Sequence, residues 1–279
     1  MTIGEALACG TRELAAAGID TARLEAELLL ARACDDCARA LLYTELRREL
    51  SDEAEQTYKA MLRRRVRREP LAYILGHWGF RRLTLKTDRR ALIPRPETEI
   101  VVERALEHLE GFDAPEVLDV GTGTGAIALA IADEHPGARV TAIDVSSDAL
   151  ALARENLDLV GIDGRVRLVE HDLTEGLGRD RFDLVVSNPP YVEPEDIEAL
   201  QPEVRDWEPR IALLAHGATE AVARAATEAL RPGGWIVLEI AEKQAVRLEH
   251  LLRDLGYEEL KVSSDLAGRD RVIEGVWRR

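Results

Sequence analysis

Asp119-Val120-Gly121-Thr122-Gly123-Thr124-Gly125 closes the apolar run that starts at Val117 and leads directly into a second apolar run, residues 126–132. A short branched-chain segment that breaks into spaced glycines and resumes with helix formers predicts a strand, a tight turn and a helix. Glycines at such a turn let backbone N–H groups approach a ligand at the positive end of the helix. The alternation continues through residues 140–143, 149–157, 166–169 and 182–187. It then passes through a helix at about 219–230, the turn Pro232-Gly233-Gly234 and a strand at 235–240. A helix at 244–255 and strand candidates near Leu260 and Val272 end the chain. Alternating strands and helices form a mostly parallel sheet covered on both faces, so the expectation is a doubly wound, Rossmann-like α/β fold with seven candidate strands.

Upstream the period changes. Ile3, Ala6, Leu7, then Leu24, Leu28, Leu29, then Ala54, Tyr58, Met61 and Leu62 recur at three and four, which predicts about four amphipathic helices between Thr2 and Arg68. Gly18 reads as a stop and Ser51-Asp52 as a start. Residues 77–88 (HWGFRRLTLKTD) read as two short strands. The expected organisation is a helical domain at 1–69, a linker with a β-hairpin at 70–95, and a sheet domain at 96–279. The arginine run Arg63, Arg64, Arg65, Arg67, Arg68 is expected to be a solvated face near a helix C-terminus, with partner docking as the lesser reading.

A net charge of −15 argues against a protein whose main task is gripping phosphates. The charge is uneven: residues 1–95 carry 18 Lys and Arg against 14 Asp and Glu, a net +4, whereas residues 96–279 carry 19 against 38, a net −19. Cys9, Cys34 and Cys37 are too few for a disulfide framework, and the CxxC of Cys34 and Cys37 lacks the second pair or nearby histidines of a zinc site. No metal is expected. With no run of ~20 apolar residues and no basic, apolar leader, the expected location is the cytoplasm, away from membranes.

The glycine loop leaves its ligand open. Gly121, Gly123 and Ala126 also satisfy the G-x-G-x-x-A form of a dinucleotide fingerprint, and Asp144 at the next strand end suits a ribose in either case. Asp172, after the third strand, stands where a side chain can bind the adenine amino group of a nucleoside, and reads equally as a surface aspartate in a turn. Asn188-Pro189-Pro190-Tyr191 is more decisive, because it starts at the end of the buried-strand pattern 182–187, where open α/β sheets place their sites. In a carboxamide or aromatic amine the nitrogen lone pair is delocalised, and attack on a sulfonium methyl requires that lone pair to be aimed. The Asn188 side-chain oxygen and the Pro189 carbonyl can each accept one N–H, stiffened by the prolines. Tyr191 can stack on the planar group and shield it from water. A hydride-transferring enzyme has no use for such an acceptor pair.

These motifs, in this order, resemble a class I S-adenosylmethionine-dependent methyltransferase. More narrowly, the chain is similar to the HemK/PrmC family of protein-(glutamine-N5) methyltransferases, through Glu69-Pro70-Leu71-Ala72-Tyr73-Ile74 with Gly76, residues 92–99 (LIPRPETE) and residues 119–130. The resemblance covers nearly the whole chain and is weakest over residues 1–65. It implies a seven-stranded methyltransferase sheet, methyl transfer to the glutamine of the GGQ motif in peptide chain release factors, and S-adenosylhomocysteine as product. It further implies that Gly121, Thr122, Gly123, Thr124 and Gly125 hold the methionine end of the cofactor, Asp144 its ribose, and Asp172 and Leu173 its adenine. Asn188 would touch the cofactor and, with Pro189, Pro190 and Tyr191, hold the target amide; Asn188, Pro189 and Tyr191 are the expected catalytic group. Where some relatives carry an aromatic residue this chain has Leu173, which keeps a backbone contact but not ring stacking. Arg95 and Glu97 are weaker candidates, since Pro96, Glu97 and Glu99 also suit a helix start. A ribosomal-protein glutamine is the sibling substrate. An amino group of nucleic acid fits the four residues equally well, but the −19 of the sheet half opposes it. A non-enzymatic scaffold carrying a bound nucleoside would not need the intact acceptor pair.

Overall fold

The computed structural model describes residues 1–35, 37–162, 164–178 and 181–279. The chain divides into two compact units: Met1–Gly76 with Gln201–Trp207, and His77–Leu200 with Glu208–Arg279.

The first unit is helical, with helices Ile3–Ala16, Ala22–Ala33, Arg39–Thr44, Asp52–Val66 and the short Leu71–Leu75. The last of these was not anticipated from periodicity, being only five residues long. Local chemistry sets the starts: Thr2 and Glu5 form a capping box, and the Ser51 hydroxyl accepts the Ala54 N–H at 3.2 Å. Ile3, Leu7, Leu14, Leu29, Leu30 and Tyr58 form the interior, each at most 1% exposed. The arginine run is only in part the solvated face expected: Arg63 and Arg67 are exposed, but the other three are paired. Arg65 is 5% exposed and pairs with Glu25 and with Glu203 (2.8 Å), Arg68 reaches Glu203 (2.7 Å), and Arg64 holds Glu69 (2.6 Å). A buried guanidinium requires such partners, and those of Arg65 come from residues 40 and 138 positions away, out of reach of local pattern. Cys34 ends its helix and Cys37 follows in a turn, both as free thiols. Asp36 between them lies outside the described residues.

The second unit opens with β1 (His77–Phe80) and β2 (Leu83–Lys86), an antiparallel hairpin whose Phe80, Leu83 and Leu85 belong to the core of this unit. The main sheet contains β3 (Glu116–Val120), β4 (Arg139–Asp144), β5 (Val166–Glu170), β6 (Phe182–Ser187), β7 (Leu230–Glu239), β8 (Tyr257–Ser264) and β9 (Asp270–Trp277), in the order β5-β4-β3-β6-β7-β9-β8. All neighbours are parallel except those made by β9, which pairs antiparallel with both β7 and β8. Alternate residues feed two cores. Val117, Leu184, Val237 and Val272 face the helices Thr98–Leu109 and Ala126–Glu134, while Leu118, Val185, Ile236 and Ile273 face Ala218–Ala229 and Ala245–Leu255. Pro232-Gly233-Gly234 is not a turn ahead of its strand: it lies within β7 as a bulge, where pairing skips from Phe182↔Leu230 to Leu184↔Trp235.

Strand order, running outward from β3 one way and from β6 the other, reverses between these two parallel strands, which end side by side with Val120 opposite Ser187. That is the switch point at which an open α/β sheet leaves a crevice. Among the described residues no helix is long and apolar enough to cross a membrane.

Candidate functional site

The crevice at the switch point is a cleft of about 350 Å³, within the usual range for small-molecule sites. Its floor is the loop after β3. Gly121, Gly123 and Gly125 take φ of +72°, +56° and +83°, which lets the loop turn back on itself and begin the helix at Ala126. A Cβ added to Gly121 would meet no atom within 4 Å, and one on Gly123 only the Ala91 Cβ at 3.9 Å, so the space above the loop is open. The loop is clamped from below: Gly121 and Thr122 N–H both donate to the Ile143 carbonyl at 2.9 Å, and the Ser187 hydroxyl donates to the Val120 carbonyl at 2.7 Å.

Asp144, at the end of β4, accepts the Gly123 N–H and the Ser146 N–H, one on each oxygen at 2.9 Å, and faces the cleft. Burial raises its pKa, with those backbone donors opposing. The second lone pair on each oxygen remains for a ligand hydroxyl pair. Asp172 also lines the cleft, but its Oδ1 is committed to the N–H and hydroxyl of Thr174, both at 2.8 Å, and those bonds lower its pKa. Leu173 lies beside it, partly buried against the second core.

Of the loop residues, Gly121, Thr122, Gly123 and Thr124 line the cleft. Gly125 does not, because it caps the helix with its Cβ position turned toward Leu129 and Ala153. Asn188, Pro189 and Pro190 line the opposite wall; Tyr191 does not. The Tyr191 hydroxyl instead points into the protein and donates to Glu239 Oε1 at 3.1 Å, and burial followed by the charge of that carboxylate pushes its pKa up. Tyr191 therefore supports the wall from behind and presents no ring to the cleft.

Two residues that sequence reasoning passed over complete the wall. Thr98, 4% exposed, lines the cleft; its hydroxyl donates to Glu239 Oε2 at 2.6 Å and accepts the Asn188 Nδ2–H at 3.1 Å. Glu239 is 1% exposed, with its pKa raised by burial against the bonds from Thr98 and Tyr191. The signal for Glu239 is a single carboxylate directly after the apolar run Trp235-Ile236-Val237-Leu238. Thr98 lies inside the quoted 92–99 segment but was hidden among its more conspicuous charges. With Asn188 Nδ2 bonded to Thr98, no described residue donates to its Oδ1, so the acceptor end of this cleft-lining side chain is unpaired.

Arg95 lines the cleft and pairs with Glu208, which also accepts the Ile93 N–H at 3.3 Å. Burial raises the Glu208 pKa and Arg95 opposes it. Glu97 does not reach the cleft and stands 3.7 Å from Arg269. Among the described residues no group of three or more His, Cys, Asp or Glu side chains is placed to hold a metal ion. Altogether the site is a small-molecule-sized crevice with Asp144 at one strand end and Asn188, Pro189 and Pro190 at another.

Comparison with known proteins agrees with this geometry. Residues 5–76 match the family described as PrmC N-terminal domain, and residues 98–203 match the methyltransferase small domain. The chain is 42% identical to the release factor glutamine methyltransferase of Caulobacter vibrioides, over 99% of this chain and 96% of that protein. It is 41% identical to the protein of the same description from Geobacter sulfurreducens, over 94% and 92%. Among solved structures, a T. thermophilus 16S rRNA N2 G1207 methyltransferase in complex with AdoMet and guanosine superposes with a TM-score of 0.54 at 20% identity, over 73% of this chain and 50% of that one, a likeness of fold alone.

Proposed function

Because the chain belongs to the release factor glutamine methyltransferase family, we propose that the cleft binds S-adenosylmethionine and that the wall at Asn188 presents the glutamine side-chain amide of the GGQ motif of peptide chain release factors to it. The protein is an S-adenosylmethionine-dependent protein-glutamine N-methyltransferase. The residues present fit the cofactor: open room over the glycine loop for its methionine end, Asp144 for its ribose hydroxyls, and Asp172 and Leu173 beside its adenine. When bound, the cofactor supplies an electrophilic sulfonium methyl and leaves as S-adenosylhomocysteine.

The work of this chain is to aim a poor nucleophile. Asn188 Oδ1 and the Pro189 carbonyl accept the two N–H groups of the target amide, which fixes the plane of that amide and directs the face of its nitrogen along the methyl–sulfur axis. As the nitrogen lone pair forms the new N–C bond, positive charge grows on the nitrogen, and the same two oxygens stabilise it, as an oxyanion hole does with the opposite sign. The methylated nitrogen then loses one proton. An N-protonated amide is so strong an acid that water can take it, and no side-chain base is required. The single observation that carries this reading is the commitment of Asn188 Nδ2 to Thr98, which leaves the amide oxygen of this cleft-lining residue unpaired.

The first helical unit supports a substrate-recognition role, with the division at 1–69, 70–95 and 96–279 as our working organisation. The acidic sheet half opposes direct binding of nucleic acid, and the cytoplasm, where release factors are found, is the compartment we assign. Incubation of the purified protein with methyl-labelled cofactor and a release factor tests the reading. Label should enter the wild-type factor and be lost when the GGQ glutamine is replaced; label that persists without that glutamine refutes it.

A further inference from the structure

We infer that Thr98 and Glu239 are positioning residues that decide which end of the Asn188 carboxamide faces the target amide, an inference that rests on the reading of Asn188 as an acceptor. The two ends of a carboxamide are almost identical in size, one an acceptor and the other a donor, so packing alone does not choose between them. Hydrogen-bond counting does. Both Glu239 oxygens act as acceptors, Oε1 of the Tyr191 hydroxyl and Oε2 of the Thr98 hydroxyl at 2.6 Å, so the one hydroxyl proton of Thr98 is taken. Thr98 Oγ1 has then spent its only proton and can act toward Asn188 solely as an acceptor, which is what the 3.1 Å contact with Nδ2 requires. A half-turn of the amide would set Asn188 Oδ1 against an oxygen with nothing to donate, and a buried mismatch of that kind is costly.

Fold geometry delivers the three groups to one point. Ser187 and Leu238 are register partners on parallel β6 and β7, so Asn188 and Glu239, one residue further along each strand, emerge side by side. Thr98 begins its helix against them, and Tyr191 bonds the remaining Glu239 oxygen at 3.1 Å, so both oxygens of the buried carboxylate are satisfied. Glu239 itself does not line the cleft and acts through Thr98.

The test uses the full-length protein, single-turnover methyl transfer to a release factor, binding of S-adenosylhomocysteine by calorimetry, and thermal unfolding. In Glu239→Gln the new amide N–H can donate to Thr98, whose freed proton then turns toward Asn188 and reverses the chain. We expect kcat to fall about 30-fold or more, with product affinity and KM for the release factor within about threefold of wild type. Thr98→Val, which keeps the shape and removes the hydroxyl, should fall similarly, whereas Thr98→Ser should restore kcat to within about threefold. Wild-type kcat in Glu239→Gln or Thr98→Val, alongside an impaired Asn188→Ala, overturns the relay and leaves the acceptor reading standing. Wild-type kcat in Asn188→Ala overturns the reading beneath it. Equal losses of unfolding temperature, product affinity and kcat in both Glu239→Gln and Thr98→Val also overturn the inference, since they assign the pair to structure alone.

Discussion

Asn188→Ala separates what this residue does for the fold from what it does for the reaction. Asn188 is half-buried at the end of β6, and its one side-chain bond in the protein is Nδ2–H to Thr98 Oγ1 at 3.1 Å. Truncation orphans no buried donor, because the Thr98 proton stays on Glu239 at 2.6 Å. The folding cost is then one ordinary hydrogen bond, about 1 kcal/mol, which lowers the unfolding temperature of a chain of this size by about 2–4 °C. The reaction loses far more. On the proposed reading one of the two acceptors for the target nitrogen is gone, worth about 3–4 kcal/mol by analogy with the deletion of a single oxyanion-hole donor, or about 10²–10³-fold in kcat. Single-turnover transfer at saturating cofactor measures this directly, and product calorimetry should show affinity within about fivefold of wild type, since the glycine loop and Asp144 are untouched. A kcat within about tenfold of wild type, or a loss of affinity that accounts for the whole loss of rate, would refute the reasoning.

Three further predictions probe other parts of the molecule. Asp144→Ala removes the carboxylate facing the ribose position and frees the Gly123 and Ser146 N–H groups, so S-adenosylhomocysteine should bind about 10–100-fold more weakly, a loss of about 1.4–2.8 kcal/mol for charge-assisted bonds, and unchanged calorimetric affinity would contradict the assignment. Gly10→Ala places a Cβ 2.0 Å from the Tyr58 hydroxyl, which bonds the Ala6 carbonyl at 3.3 Å; overpacking and the lost bond outweigh the helix gain of Ala, and urea unfolding should show about 1–3 kcal/mol of destabilisation. Asp119 is fully buried, and burial, opposed by the Thr122 hydroxyl, pushes its carboxyl up to about 7. Between the unfolded value near 4 and about 7 the folded state holds a proton the unfolded chain has lost, so its contribution to stability declines as pH rises through that window, by up to about 1.4 kcal/mol per unit, and levels off above it. Urea titrations from about pH 5 to about pH 8 should show that slope in the wild type, and an identical slope in Asp119→Asn would remove Asp119 as its source.

The sheet was legible because its signal is local and repeated. Buried parallel strands read as apolar runs, the glycine loop fixes where the first one turns, and the strand ends of such an open sheet are where its site lies. Gly121, Gly123, Asp144, Asn188 and Pro189 could be placed at that crevice from sequence for the same reason: each lies at or just beyond a strand end, where direction is set by the strand. Features set by distant partners could not be read. Arg65 looked like a member of a solvated run because Glu25 and Glu203, which bury it, lie 40 and 138 residues away. Pro232-Gly233-Gly234 carried every local mark of a turn, and only its pairing with β6 makes it a bulge within a strand.

Tyr191 shows most clearly where local reasoning stops. An aromatic residue after Asn-Pro-Pro at a strand end invites a stacking role, and nothing in residues 182–191 argues otherwise. What turns the ring away from the cleft is a buried carboxylate on the neighbouring strand, 48 residues on, which takes the Tyr191 hydroxyl at 3.1 Å. The signal of that carboxylate, though passed over, is in the sequence: an acidic side chain ending the run Trp235-Ile236-Val237-Leu238 must find partners, because a polar group at 1% exposure is too costly to leave unpaired. The donors available at that end of the sheet are the groups that β6 and the helix beginning at Thr98 bring there. A lone carboxylate at the end of an apolar run thus marks where neighbouring elements must bring donors, here Thr98 and Tyr191, even beside a more conspicuous motif.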